Sequence, residues 1–358
     1  DLGLTEDNYI LKTNVPEGQE CYETAMDMVD KGCNIIFADS FGHEPYMIDA
    51  AKENPDVQFC HSTGTRAHTE GLANYHNAFA SIYEGRYLAG IAAGMKLNEM
   101  IEAGKFTAEE AKIGYVGAFT YAEVVSGYTS FFLGARSVCP TVTMEVTFTG
   151  SWYDETLEKT GAELLIDRGC KLISQHADSY GAPTACQNAG VPNVSYNGST
   201  KNVGADTYII SSRIDWAPYY EYAIKAVMDG TEIATDWTGT LATGSVVLEE
   251  LNTDVAAAGT AEAIAAATTK LENGELHVFD VSTFTTRADD TMNTFKVDFL
   301  KVDADGHITS YLADVDTDEA YTGDTEVVHD GYFSESEKRS APYFDLQIDG
   351  IELLNTAM

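Results

Sequence analysis

Ala25-Met-Asp-Met-Val-Asp-Lys-Gly-Cys-Asn-Ile-Ile36 returns, 137 residues further on, as Ala162-Glu-Leu-Leu-Ile-Asp-Arg-Gly-Cys-Lys-Leu-Ile173. The same offset carries Asn54-Pro-Asp-Val-Gln-Phe59 onto Val191-Pro-Asn-Val-Ser-Tyr196 and Tyr83-Glu84 onto Tyr220-Glu221. Between these matches, Ala38-Asp-Ser-Phe-Gly42 answers Ala177-Asp-Ser-Tyr-Gly181, shifted by two positions. Matches in one register point to duplication or shared architecture. Each copy reads as a helix closed at Gly32 or Gly169, since glycine tolerates the left-handed conformation that ends a helix. A short apolar strand follows, then a polar loop. A second helix, about residues 44–53 or 182–189, ends ahead of Pro55 or Pro192, and another apolar strand comes next. Helices alternating with short, continuously apolar strands predict a parallel sheet covered on both faces. Two such units predict two doubly wound α/β lobes.

Ligands of open parallel sheets lie at the carboxyl ends of the strands. The loops at those ends are 38–43, 117–121, 149–154, 175–180 and 195–199, and each contains an aromatic residue beside hydrogen-bonding groups. If the lobes face each other, these loops line one cleft suited to a flat, partly apolar ligand with polar edges.

The 358 residues carry 57 Asp+Glu against 21 Lys+Arg, a formal net charge of -36. That field repels nucleic acid and anionic membrane surfaces, which excludes both as partners. No stretch approaches the ~18 consecutive apolar residues of a membrane helix. Residues 1–8 show neither a basic start nor an apolar signal core. The six cysteines contain no CxxC pair, and Cys33 and Cys170 each open an apolar run, as free buried thiols do.

Later segments are less regular. Residues 253–272 read as an alanine-rich helix capped by Thr253 or Asp254. Residues 295–312 alternate apolar and polar around Asp305-Gly306, a hairpin signal. The acidic stretch 314–330 is expected to be a solvated excursion.

Enzyme signatures are weak. A phosphate-cradling GxxxxGK[ST] or GxGxxG loop and a GxSxG elbow are absent from the sequence. His61, His68 and His76 have the wrong spacing for a standard metal site, and Asp303-Ala-Asp-Gly306 offers only half a calcium loop, so no metal or other cofactor is expected. His176 and Asp178 lie two apart after a strand and point the same way. They suit two hydrogen bonds to one ligand better than a catalytic base and its partner. Trp152, flanked by Ser151 and Asp154, and Trp216 are each candidates for the cleft or for the core. Arg213 is open to a ligand or to Asp215.

The runs Phe59-Cys-His-Ser-Thr-Gly64, Tyr83-Glu-Gly-Arg-Tyr-Leu-Ala-Gly90, Ile113-Gly-Tyr-Val-Gly-Ala-Phe119, Trp152-Tyr-Asp154, Gln175-His-Ala-Asp-Ser179 and Trp216-Ala-Pro-Tyr-Tyr220 resemble the basic membrane protein (BMP) family. These are substrate-binding lipoproteins of ABC transporters, and the resemblance spans roughly residues 1–285. It implies a type I periplasmic-binding-protein fold, an extracytoplasmic and lipid-anchored location, a permease partner, and a cleft taking a purine nucleobase or nucleoside. Carried onto this sequence, it implies ligand contacts from Phe41, Phe119, Trp152, His176, Asp178, Asn197 and Trp216. Tyr121, Asp154 and Tyr180, from the same loops, and Arg213, within Ile-Ser-Ser-Arg-Ile-Asp215, join the expected site.

Two departures stand out. Tyr196-Asn197-Gly198 replaces the Gly-Val-Asp usual in nucleoside binders, which weakens the nucleoside case against the free base, and Arg213 stands where Lys is common. By the same resemblance the chain starts after the family's opening strand, its ligand loop and its lipid-bearing cysteine. The expected partition is residues 1–118 with 241–358 in one lobe and 119–240 in the other. Rival readings are a receptor for a sugar or other heterocycle, a ligand-sensing domain, and a nucleoside hydrolase-like enzyme.

Overall fold

A computed structural model describes residues 2–288, 299–315 and 325–358. Both copies of the repeat fold alike at the level of single hydrogen bonds. Helix α1 (Gln19–Asp30) ends at Gly32, φ +86°, where Cys33 N donates to Met28 O and Gly32 N to Val29 O. The helix Glu155–Asp167 ends at Gly169, φ +89°, with Cys170 N donating to Leu165 O and Gly169 N to Ile166 O. This six-to-one and five-to-two pair is the Schellman closure, and a side chain at either glycine would be strained.

The first copy continues as β1 (Ile35–Ala38), α2 (Glu44–Glu53), β2 (Gln58–Ser62), α3 (Ala67–Glu70) and β3 (Tyr75–Ala80). A long helix, α4 (Ile82–Glu102), leads to β4 (Lys112–Gly117), α5 (Ala122–Val138) and β5 (Thr143–Phe148). The second copy is α6 (Glu155–Asp167), β6 (Leu172–His176), α7 (Gly181–Ala189), β7 (Asn193–Tyr196), β8 (Tyr208–Ile214) and α8 (Ala217–Asp229). Then come β9 (Asp236–Gly239), β10 (Val246–Leu248), α9 (Thr260–Glu272), β11 (Leu300–Val302), β12 (Ile308–Ala313), β13 (Thr325–Glu326), β14 (Val328–His329), β15 (Tyr332–Phe333) and β16 (Ile351–Leu353).

Two sheets result. The smaller runs β1-β2-β3-β9, all parallel. The larger runs β10-β8-β7-β6-β4-β5-β16, parallel except where β10 joins β8. The chain passes between them three times: at Ser81, at Asp215–Trp216 and across Thr240–Ser245. Helix α8 already belongs with the smaller sheet, since Tyr219, Ala223 and Ala226 cluster with Cys60 and Ala78. The crossings are tied to one another: Ser81 N donates to Gly239 O at 2.8 Å and Asp215 N to Ser245 O at 2.7 Å. Glu84 accepts from Ser81 Oγ at 2.6 Å and from Leu241 N at 3.1 Å.

Strand pairing redraws the expected partition. Strands β4, β10 and β16 pair in the larger sheet, whereas α8 and β9 (217–239) accompany the smaller one. A linear repeat shows that two units exist but not where the backbone changes sheets, because the crossings are short segments without a signal of their own.

The larger lobe holds the main core, built where α4 and α5 press together. Gly90 and Gly134 permit that contact: a Cβ on Gly90 would stand 2.1 Å from Phe131 O, and one on Gly134 2.0 Å from Tyr87 O. Arg86, fully buried on α4, donates to Ser174 Oγ (2.7 Å), Tyr115 OH (3.1 Å) and Ser195 O (3.1 Å). All six cysteines are free, and burial pushes the Cys60 and Cys186 thiols up to about 12.

Toward the C-terminus, α9 begins at Thr260 rather than near Thr253, because Gly259 takes a left-handed φ of +81° and breaks the run. The expected hairpin forms from β11 and β12. The Asp303 carboxylate closes its turn by accepting from Asp305 N and His307 N, each at 2.9 Å, so it serves the turn that the half calcium loop imitated. Residues 295–298 of that expectation, and 316–324 of the acidic stretch, lie outside the described residues. No helix among the described residues is long and apolar enough to cross a membrane.

A fold carrying a net charge of -36 repels itself. Added salt shortens the Debye length from ~10 Å at 0.1 M to ~3 Å at 1 M. Melting temperature, followed by circular dichroism, is therefore expected to rise across that range of NaCl. A flat or falling trend would show that local ion pairs outweigh the net repulsion.

Candidate ligand-binding cleft

The tips of β1 and β6 present the repeated Asp-Ser-aromatic-Gly loop from the two lobes. Under the first tip, His61 Nε2 donates to Ser40 O at 2.7 Å from a fully buried ring, and burial lowers its pKa, favouring the neutral imidazole. Glu17 clamps the same tip by accepting from Ser40 Oγ and Gly42 N. His76 bonds Ala234 O and Gln58 Oε1, and His68 lies 3.1 Å from Asp236. The three spaced histidines thus fasten loops and strands.

A row of aromatic rings crosses from one lobe to the other. Phe41, at the end of β1, stacks on Tyr121, between β4 and α5, with centroids 4.9 Å apart and planes at 23°. Tyr121 stacks on Phe119 at 5.1 Å and 12°, and Phe119 meets Trp152 edge-on at 5.3 Å. Trp152 is half-buried and also packs against the main core, so it serves both places that the sequence left open.

Beside this row lies a polar floor. His176 is buried, its ring 4.1 Å from that of Tyr196, and its Nε2 is 3.4 Å from Glu123 Oε1 at the first turn of α5. Asn197, held at φ +61°, donates to Asp178 Oδ1 at 3.4 Å. Asp178 N donates to Trp152 O at 2.9 Å, which joins the floor to the ring row. Asp178 is open to solvent within the cleft yet enclosed by its walls. That loss of hydration raises its pKa, opposed by His176 and Asn197 and reinforced by the charges of Glu123 and Asp39. Asp39 belongs to the opposite tip, so the repeated aspartates of the two lobes share one electrostatic environment.

Of the residues expected from sequence, Phe41, Phe119, Tyr121 and Trp152 form the row, and His176, Asp178 and Asn197 form the floor. Four others stand differently. Asp154 caps α6, accepting from Leu157 N at 2.9 Å. Tyr180 sits at the start of α7 with its side 47% exposed, and among the described residues no ring contact joins it to the row. Arg213 is engaged by Glu249 at 2.6 Å and Asp215 at 3.3 Å. Trp216 lies in the second crossing, its ring 6.0 Å from Phe79, and like Leu241 of the third it packs against the buried cluster that includes Phe79, Ile214 and Val246. Glu123, Asp39 and Tyr196 were missing from the expected set. Asp39 was signalled by the repeat, as the counterpart of Asp178; Glu123 had no signal beyond its place just after a strand-end loop.

Two doubly wound lobes joined by three crossings, with rings and hydrogen-bonding groups at facing strand ends, have the architecture of a bilobed solute-binding protein. A family model described as ABC transporter substrate-binding protein PnrA-like (Bmp) matches residues 6–280, and the chain belongs to that family. A Haloferax volcanii protein named as an ABC transporter glucose-binding protein is 34% identical over 72% of this chain and 62% of its own length. A purine-binding protein of Brucella abortus is 34% identical over 61% of this chain and 58% of its own. The chain thus spans about three fifths of the length of these curated relatives. A solute-binding protein structure from Aeropyrum pernix superposes with a TM-score of 0.62 at 18% identity, covering 74% of this chain and 82% of that one. It has the same type I fold.

Because Asp154 acts as a helix cap, Asp154→Ala is expected to cost about 1 kcal/mol of stability and to leave ligand affinity unchanged. Denaturant melts paired with calorimetric titration measure both. Loss of affinity at undiminished stability would place Asp154 in the site instead.

Proposed function

We propose that the cleft captures a purine nucleobase or nucleoside outside the cytoplasm and delivers it to an ABC permease. The observation that carries this reading is the ring row of Phe41, Tyr121, Phe119 and Trp152 beside the carboxylates of Asp178 and Glu123. Planar π-faces stack on a base, and carboxylates accept from ring N–H and amino groups on its edge. Asn197 supplies both a donor and an acceptor, so one floor can read a mixed edge. The named ligand of the Brucella relative agrees. Phe41 and Tyr121 are already in contact, so a base entering between them requires the lobes to part at the crossings and close again.

A sugar is the second reading, favoured by the name of the Haloferax relative and by the same carboxylates, which accept equally from hydroxyls. Calorimetric titration with adenine, guanine, hypoxanthine, adenosine and glucose separates the two. Saturable binding of a purine with no heat from glucose is expected; the reverse pattern would replace purine by sugar.

Tyr121 touches three of the rings around it, and base stacking is worth about 1–3 kcal/mol. Tyr121→Ala is therefore expected to weaken purine binding roughly 5- to 150-fold, and unchanged affinity would remove the row from the site. Asp178 must be ionised to accept two donors. Since its pKa is raised, affinity should fall as pH drops through a range above that of an ordinary aspartate. In Asp178→Asn that fall should flatten; titrations across the acidic range check the sign.

A further inference from the structure

A second cavity, of about 90 Å³, lies among the start of α4, the end of α9 with the segment 274–279 after it, and the C-terminal strand β15 with residues 334–337. Its walls include the rings of Tyr83, Phe279, Tyr332 and Phe333. Tyr83 and Phe279 stand 5.5 Å apart, and Tyr332 is stacked on His277 at 3.7 Å, which fixes its ring. Three glutamates, Glu84, Glu335 and Glu337, are among its lining residues, and the Glu337 carboxylate accepts from Tyr332 OH at 2.8 Å and lies 3.2 Å from His329 Nε2. Glu335 is only 2% exposed and accepts from Tyr343 N and Phe344 N. The nearby Arg339 guanidinium donates to the carbonyls of Ala341, Asp314, Val315 and Pro342, so it does not hydrogen-bond that carboxylate. Burial accordingly pushes Glu335 up to about 7 and raises Glu84 as well.

We propose that this cavity is a second ligand site, for a small organic cation of the methylated ammonium class. Aromatic faces attract such a cation through their quadrupoles, more strongly when it is desolvated. The carboxylates supply the countercharge, and a cation beside them restores the ionisation that burial opposes. The volume limits the guest to a few heavy atoms, well below the 150 Å³ of a benzene-sized cavity. This site is distinct from the cleft in place and chemistry, and it stands whether or not the cleft takes purines. It adjoins the hinge, because Glu84 also holds Ser81 and Leu241.

The test uses tetramethylammonium chloride as probe, with sodium chloride at equal concentration and neutral tert-butanol as references. Tetramethylammonium is expected to raise the melting temperature by about 2–4 °C beyond sodium chloride, saturably, as a ligand of the native state does. Tyr332→Leu, which keeps apolar bulk but removes the π-face, and Glu335→Gln, which removes the charge, should each abolish most of that excess. Equal shifts from sodium chloride or tert-butanol would overturn the proposal. So would a full excess retained in Tyr332→Leu, which decides the question even if Glu335→Gln folds poorly.

Discussion

Arg86 is the constraint on which the larger lobe depends. A fully buried guanidinium is costly to desolvate and needs partners for its donors. Both Nη atoms find them, while Nε has none among the described residues. Here its partners are distributed over the sheet: Tyr115 on β4, Ser174 on β6 and Ser195 on β7. One side chain on α4 thereby sets that helix against three neighbouring strands. Its guanidinium also lies 4.8 Å from the ring centre of Phe131 on α5 and 5.5 Å from that of Tyr196. Tyr196 in turn carries the His176 ring. The floor of the cleft therefore rests on a buried charge placed from beneath the sheet.

The close approach of α4 and α5 through Gly90 and Gly134 belongs to the same arrangement. Gly85 plays the matching part toward the strands, since a Cβ there would stand 2.8 Å from Val246 Cγ1 and 3.1 Å from Ser212 Cβ. Helix α4 also begins at the first crossing, so the hinge and the cleft floor share one rigid element. Glu84, two residues before Arg86, binds both Ser81 and Leu241. A single turn of helix thus connects the joint between the lobes with the polar floor at the strand ends.

The repeat places an aspartate and an aromatic at each lobe's tip, but the two tips have diverged. Phe41 lies over Tyr121 across the cleft, while its counterpart Tyr180 remains apart from the row. Asp178 lies on the floor with Asn197 and His176, whereas Asp39 acts on it from the opposite tip. A duplicated architecture has become an asymmetric pair of tips. Residues 332–337, after the family's matched region, complete a second cavity on the hinge side together with Tyr83, Glu84 and residues from 271–279.

The sequence by itself determined the two-unit α/β architecture, because helix closure at Gly32 and Gly169 and apolar strand runs are local signals. It also determined most of the ring row and floor, since ligands of parallel sheets gather at strand ends and those loops can be read off. It did not determine which lobe residues 241–358 join, that Asp154 and Arg213 are committed to a helix cap and to ion pairs, or that Glu123 faces His176. Those depend on where the chain crosses between sheets and on which side chains meet across distances of up to hundreds of residues. Pairings of that kind have no periodicity along the chain. Only the packed tertiary structure, with α4 seated by its glycines and by Arg86, decides them.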